Sequence, residues 1–158
     1  MAAIMVALTS ATGCSKAADN DGGSVKRTMV ASAYYSMETD NGVKFTFYLV
    51  DNKANLIQNP SEPDEMMATK YVWIEVMSSS NAPQGTYSLT DDFSDLDSGH
   101  SVAFDNCDSK QIGYIKNGTV TIGNNMITVS GSTDKGKDYS LSFSGTFQKT
   151  GFITTFVQ

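Results

Sequence analysis

Nucleophilic catalysis needs a base within hydrogen-bond reach of its nucleophile and a third group to orient that base. This chain offers one imidazole for the task, His100. Cys107 lies seven residues further on, and in an unbroken strand an odd separation sends two side chains to opposite faces. No Gly-x-Ser-x-Gly elbow is present. His100 follows Gly99 at the start of a predicted strand, where a solvated histidine is ordinary. Cys107 reads as a small buried hydrophobe. Paired carboxylates for glycoside hydrolysis need a set separation across a cleft, and among seventeen acids the sequence selects no pair. The expectation is a protein that is not an enzyme.

Two other groups of side chains have chemical character. The run Asp91-Asp92-Phe93-Ser94-Asp95-Leu96-Asp97-Ser98-Gly99 alternates carboxylates and ends in glycine. Calcium wants 6–8 oxygen ligands, and loops supply them in this way. The spacing is not that of an EF-hand and no glutamate closes the run, so Asp91, Asp92, Asp95 and Asp97 form a weak Ca²⁺ candidate. The ordinary reading is a solvated loop whose aspartates cap turns. No other cofactor is expected.

The second group lies on Lys70-Tyr71-Val72-Trp73-Ile74-Glu75-Val76-Met77. Val72, Ile74 and Val76 make a β-branched core row, which leaves Tyr71, Trp73, Glu75 and Met77 on the other face. Tyr71, Trp73 and Glu75 together offer a flat aromatic platform with one acceptor, suited to a sugar ring or a peptide. A second packed layer, with residues 52–69 covering Trp73, is the alternative. It is the commoner outcome, because tryptophan is highly buried on average.

The elements that position these residues follow from period and turn chemistry. Tyr139, Leu141, Phe143 and Phe147 alternate with Ser140, Ser142, Ser144, Thr146 and Gln148, the pattern of a strand with one buried face. Val43, Phe45, Phe47 and Leu49 form a second row against Lys44, Thr46 and Tyr48. Asp40-Asn41-Gly42, Asn117-Gly118, Gly123-Asn124-Asn125 and Asp134-Lys135-Gly136 read as turns. Strands are predicted near 28–38, 43–51, 70–78, 85–90, 100–106, 110–116, 118–123, 126–132, 137–148 and 151–157. The fold class is all-β: an antiparallel β-sandwich or lipocalin-like β-barrel of about 8–10 strands. Tyr35, Phe45, Phe47, Phe104, Tyr114, Tyr139 and Phe143 are its expected inward aromatics. Pro60 and Pro63 interrupt any ladder, and Ser61-Glu62-Pro63-Asp64 predicts one short helix near 61–69.

Composition narrows the partners. The 158 residues fit one domain, with 40% hydrophobic and 18% charged residues. The net charge is −6 and Arg27 is the only arginine, which argues against nucleic acid and against an arginine clamp for phosphate.

Residues 1–13, MAAIMVALTSATG, are uncharged, with an apolar run from Ala2 to Leu8 that is too short to span a bilayer. They have the length of a signal-peptide core followed by small residues. Ala11-Thr12-Gly13-Cys14 resembles the lipobox of bacterial lipoproteins. That resemblance implies cleavage before Cys14 and lipidation of its sulfur, followed by a flexible tether over 14–25 and a single β domain over 26–158. With Cys14 acylated, no disulfide forms within the chain. The polar, acidic stretch after Cys14 also resembles the surface-export signal of some Gram-negative gut-bacterial lipoproteins.

Gly85-Thr-Tyr87-Ser-Leu89, Asn117-Gly118-Thr119-Val120-Thr121-Ile122, Ile127-Thr-Val129-Ser-Gly131 and Ser144-Gly145-Thr146-Phe147 follow in order. Over roughly 83–148 they resemble small all-β lipoproteins of Gram-negative gut bacteria, some lipocalin-like and many of unknown function. The likeness implies an exported, membrane-anchored outer-membrane lipoprotein, with exposure at the cell surface implied by the acidic stretch after Cys14, and carries over no catalytic residue. The expected role is a non-catalytic binding or adhesion module for a glycan or protein ligand. The alternatives are a lipocalin-like carrier of a small apolar ligand, or an inhibitor or structural partner of an envelope protein.

Overall fold

The structure, a computed structural model, describes residues 23–91, 96–108 and 112–156. The leader, Cys14 and most of the tether lie outside them, as do Asp92 and Asp95. Among the described residues the chain is all-β. The strands are β1 (Val25–Met29), β2 (Ala31–Thr39), β3 (Gly42–Val50), β4 (Leu56–Gln58), β5 (Glu65–Ala68), β6 (Tyr71–Ser78) and β7 (Gly85–Leu89). They continue as β8 (His100–Asn106), β9 (Gly113–Ile122), β10 (Met126–Ser132), β11 (Asp138–Ser144), β12 (Phe147–Lys149) and β13 (Phe152–Thr155). Val25, which the sequence left in the tether, is buried and opens β1.

Ten strands form one curled, barrel-like sheet in the order β1-β11-β10-β9-β7-β8-β6-β3-β2-β12. Only Val30 separates β1 from β2 along the chain, and only Gly145 and Thr146 separate β11 from β12. Both pairs nevertheless stand toward opposite ends of the strand order. Consecutive Cα atoms are about 3.8 Å apart, so the sheet must roll until its ends lie side by side. At that seam β1 pairs in parallel with β11 (Met29 opposite Phe143), and β12 pairs in parallel with β2 (Phe147 opposite Ser32). The opposed residues differ by 114 in number on one side and by 115 on the other, so the ladder slips by one residue where it changes strands.

The inward face is filled. Phe45, Phe47, Leu49, Val72, Ile74, Val76, Ile115, Val120, Ile127, Tyr139, Leu141 and Phe143 form one continuous core, each at most 4% exposed. The row predicted from Val72, Ile74 and Val76 is fully buried there. Tyr34 stacks on Phe47 at 5.3 Å, and Phe147 meets Phe47 edge-on at 5.5 Å, so aromatic rings line the seam. Inside this apolar core sits one ion pair. Arg27 Nε donates to Asp105 Oδ2 at 2.8 Å, and the Tyr139 hydroxyl donates to the same oxygen at 2.8 Å. The backbone N–H of Cys107 donates to Asp105 Oδ1 at 3.0 Å.

A second, three-stranded sheet, ordered β13-β5-β4, lies on the outer face of β2 and β3. Met66, Ala68, Leu56 and Ile153 from this sheet pack on Ala33, Tyr48 and Val50. The fold therefore combines a rolled sheet with a local sandwich.

Several expectations are corrected. No helix forms near 61–69; Glu65–Ala68 is strand β5, pairing antiparallel with β4 and parallel with β13. Met66 and Ala68 alternate inward, and two neighbouring strand edges satisfy backbone groups that a short helix would leave at its ends. The prolines instead shape the β4–β5 connection, where Glu65 N–H donates to the Glu62 carbonyl at 3.0 Å. The sheet is not purely antiparallel, since β1–β11, β12–β2, β13–β5 and a short β7–β8 contact are parallel. Asn117-Gly118 makes no turn. It lies within β9, where Asn117 takes φ 56 and the pairing to β10 shifts between Ser130 and Ser132. A Cβ on Gly118 would overlap the Ser130 carbonyl oxygen, so glycine is required for that close approach. The long strand over 137–148 breaks at Gly145. Of the expected inward aromatics, Phe45, Phe47, Tyr139 and Phe143 point into the core. Tyr35, Phe104 and Tyr114 lie on the outer face, and Tyr34 takes the inward place.

Candidate functional site

The outer face of β6 is fixed by pairing on both sides. Trp73 stands opposite Tyr48 on β3 and Phe104 on β8, and Phe104 stands opposite Tyr114 on β9. The result is an aromatic row, Tyr48–Trp73–Phe104–Tyr114, that crosses four neighbouring strands. Phe104 and Tyr114 meet edge-on with ring centroids 4.7 Å apart. The next row on the same face is Tyr35–Thr46–Glu75–Val102, and the one beyond holds Met37, Lys44 and Met77.

Two walls flank this face. On one side the small sheet packs against Tyr48, Tyr71, Tyr35 and Trp73. On the other, Leu96 packs with Met77 and Val102 and reaches Trp73 and Tyr114. Trp73 touches both walls and stays half-buried between them. Phe152, 55% exposed, stands on the rim beside Tyr35 at 5.9 Å, and Met37, two residues beyond Tyr35 on β2, is 50% exposed.

Glu75 is the polar centre. Thr46 Oγ1 donates to its Oε1 at 3.4 Å, and Lys44 Nζ lies 3.6 Å from the same oxygen. Its side chain keeps 18% of its surface, and that of Lys44 keeps 24%. The carboxylate is held from the protein side and still reaches solvent. Tyr35 stands opposite Thr46. Burial raises its phenol above the ordinary value and the Glu75 charge adds to this, while the Thr46 hydrogen bond works against it. Burial likewise raises Tyr48, helped by its neighbours Tyr35, Tyr71 and Glu75. These phenols are hydroxyl donors and acceptors over the whole physiological range.

Of the three residues singled out on β6, the structure separates the roles. Tyr71 lies under the small sheet, edge-on to Tyr48 at 4.9 Å. Trp73 packs against the small sheet, as the covered-layer alternative expects, and keeps part of its surface exposed. Glu75 occupies the open end. Tyr35, Lys44, Thr46 and Phe152 join the site without having been foreseen. The alternation of Lys44, Thr46 and Tyr48 with the core row was the available signal for β3. The register of the Asp40–Asn41 hairpin then brings Tyr35 opposite Thr46.

The remaining candidates do not converge. Asp91 and Asp97 are exposed, Asp92 and Asp95 lie outside the described residues, and no metal-holding group of acids, histidine or cysteine occurs among the described ones. His100 is exposed at the start of β8, whereas Cys107 is buried in the main core beside the Lys70 carbonyl.

Comparison with known proteins adds no relative: no family model, no curated protein and no solved structure matches the chain.

Proposed function

We propose that this chain is a non-catalytic binding module of the bacterial envelope, an outer-membrane lipoprotein anchored through acylated Cys14 and presenting the Trp73–Glu75 face to a glycan. The observation that carries the reading is the juxtaposition on one walled face of Trp73, Tyr35 and Phe152 with the solvent-reaching Glu75–Lys44 pair. Sugar rings offer an apolar C–H face and a rim of hydroxyls. An aromatic surface takes the first, and the Glu75 carboxylate and Lys44 ammonium take the second, with the buried Thr46 hydroxyl holding the carboxylate from behind. A glycan is favoured over a protein ligand because packed residues flank the face on both sides.

The carrier alternative draws less support, since the side chains facing the barrel interior are packed against one another with almost no surface left. The anchor rests on the Ala11-Thr12-Gly13-Cys14 sequence and on the polar residues that follow it. Lipid attachment is tested by mass spectrometry of the protein made in a Gram-negative host. The expected product begins at Cys14 and carries a diacylglyceryl thioether; a product that retains residues 1–13 with a free Cys14 thiol would refute the anchor.

Ligand binding is tested with Trp73, the only tryptophan, as its own reporter. Titration with soluble envelope and host polysaccharides is expected to shift and quench its emission in a saturable way. Glu75→Gln should weaken that response by about tenfold, equivalent to about 1.4 kcal/mol. A face that answers no glycan would refute this reading.

A further inference from the structure

Where the seam changes strands, the wall opens into a cleft of about 480 Å³, a size that suits a small organic ligand. It lies between the end of the β1–β11 pairing and the start of β12–β2, where Val30, Gly145 and Thr146 interrupt the ladder. Phe143 and Leu56 give it an apolar wall. Lys53, Thr146 and Gln148 stand on its exposed side. Ser32 also lines it, with the residue only 3% exposed and its Oγ without a hydrogen-bond partner. Buried hydroxyls are otherwise almost always partnered, so an unpartnered one lining a cleft marks the place of a missing group.

We propose that this seam cleft binds a small organic carboxylate, with its apolar body against Phe143 and Leu56 and its carboxylate accepting from Ser32 Oγ and Lys53 Nζ. Three features select that class. The cleft wall is apolar and its only cation is Lys53, which provides the counter-charge. Ser32 and Thr146 are hydroxyls able to donate, as carboxylate oxygens require. The volume admits a ring or a short chain but not a polymer. The cleft's lining residues include none of Tyr35, Lys44, Trp73, Glu75 or Phe152, and the proposal does not depend on the reading given to the Trp73 face. Asp51, whose Oδ1 is also buried and unpartnered, is not among the lining residues, and it favours the opposite ligand charge.

The test uses calorimetry and thermal melts with phenylacetate, its neutral analogue phenylacetamide and the cation phenethylamine. Phenylacetate is expected to bind saturably and to raise Tm, with both analogues roughly tenfold weaker or more. Lys53→Gln changes an exposed residue. It should leave the unliganded Tm unchanged and lose most of the phenylacetate affinity. Ser32→Ala removes a hydroxyl that has no partner, so the unliganded Tm should hold or rise while phenylacetate binding falls several-fold. Absence of saturable binding, equal binding of acid and amide, or retention of affinity in Lys53→Gln would each overturn the proposal. A preference for phenethylamine would overturn it too.

Discussion

Arg27, Asp105 and Tyr139 come from strands far apart in the chain, and the barrel interior closes over all three. Burial alone would lower the Arg27 pKa, but the charge and hydrogen bonds of Asp105 outweigh it and hold the guanidinium above its ordinary value. A fully buried pair is costly to break on one side. Arg27→Met should therefore destabilise the fold by about 3–5 kcal/mol in urea titrations, and Arg27→Met with Asp105→Leu should recover part of that loss. Burial, then Asp105, raises Tyr139 well above its ordinary value near 10. A phenol whose folded pKa is raised contributes fully below the unfolded pKa, and its contribution is lost as pH rises past it. Urea midpoints should accordingly fall above about pH 10, and Tyr139→Phe should make that alkaline fall less steep. Tyr139 was expected to face inward, but its partnership with Arg27 and Asp105 was not legible beforehand. Arg27 was conspicuous as the lone arginine, but residues 78 and 34 positions apart carry no local pattern that joins them.

At the scale of elements, the sequence announces strands best where alternation is long and a turn marks its end. β11, seven residues long, and β3, nine residues long and preceded by a two-residue hairpin loop, were plain. β5 was not. Four residues are too few to separate a period of 2 from one of 3.6, and the flanking prolines read equally well as a helix start. Met66→Ala should cost about 2–5 kcal/mol by opening a cavity under the small sheet, and Trp73 emission should move to the red as the wall loosens; an unchanged spectrum would show that the small sheet does not shield Trp73. Asn117-Gly118 misled for a different reason, because the pair that favours a tight turn also suits a bulge inside a strand. Gly118→Ala forces a methyl toward the Ser130 carbonyl and should cost about 1–3 kcal/mol. A stability equal to the parent would show that β9 and β10 part easily there.

For the whole molecule, the all-β class followed from strand count and turn spacing, but the way the barrel-like sheet meets itself did not. Parallel pairing of β1 with β11 joins residues more than a hundred positions apart, and neither segment announces its partner. That closure separates a filled interior from an outer face and a seam. The inside is packed solid, so both proposed ligand sites lie on the outer face and at the seam. Half of the candidate site was in view, since Tyr71, Trp73 and Glu75 were placed on one face from alternation alone. The other half needed the register that delivers Tyr35, Thr46 and Lys44 to the same place. The most direct measurement is equilibrium binding of envelope and host glycans to the parent protein and to Trp73→Ala by calorimetry. The account predicts saturable binding of at least one glycan by the parent and its loss in the variant at unchanged fold. Undiminished affinity in Trp73→Ala, or no glycan bound by the parent, would contradict it.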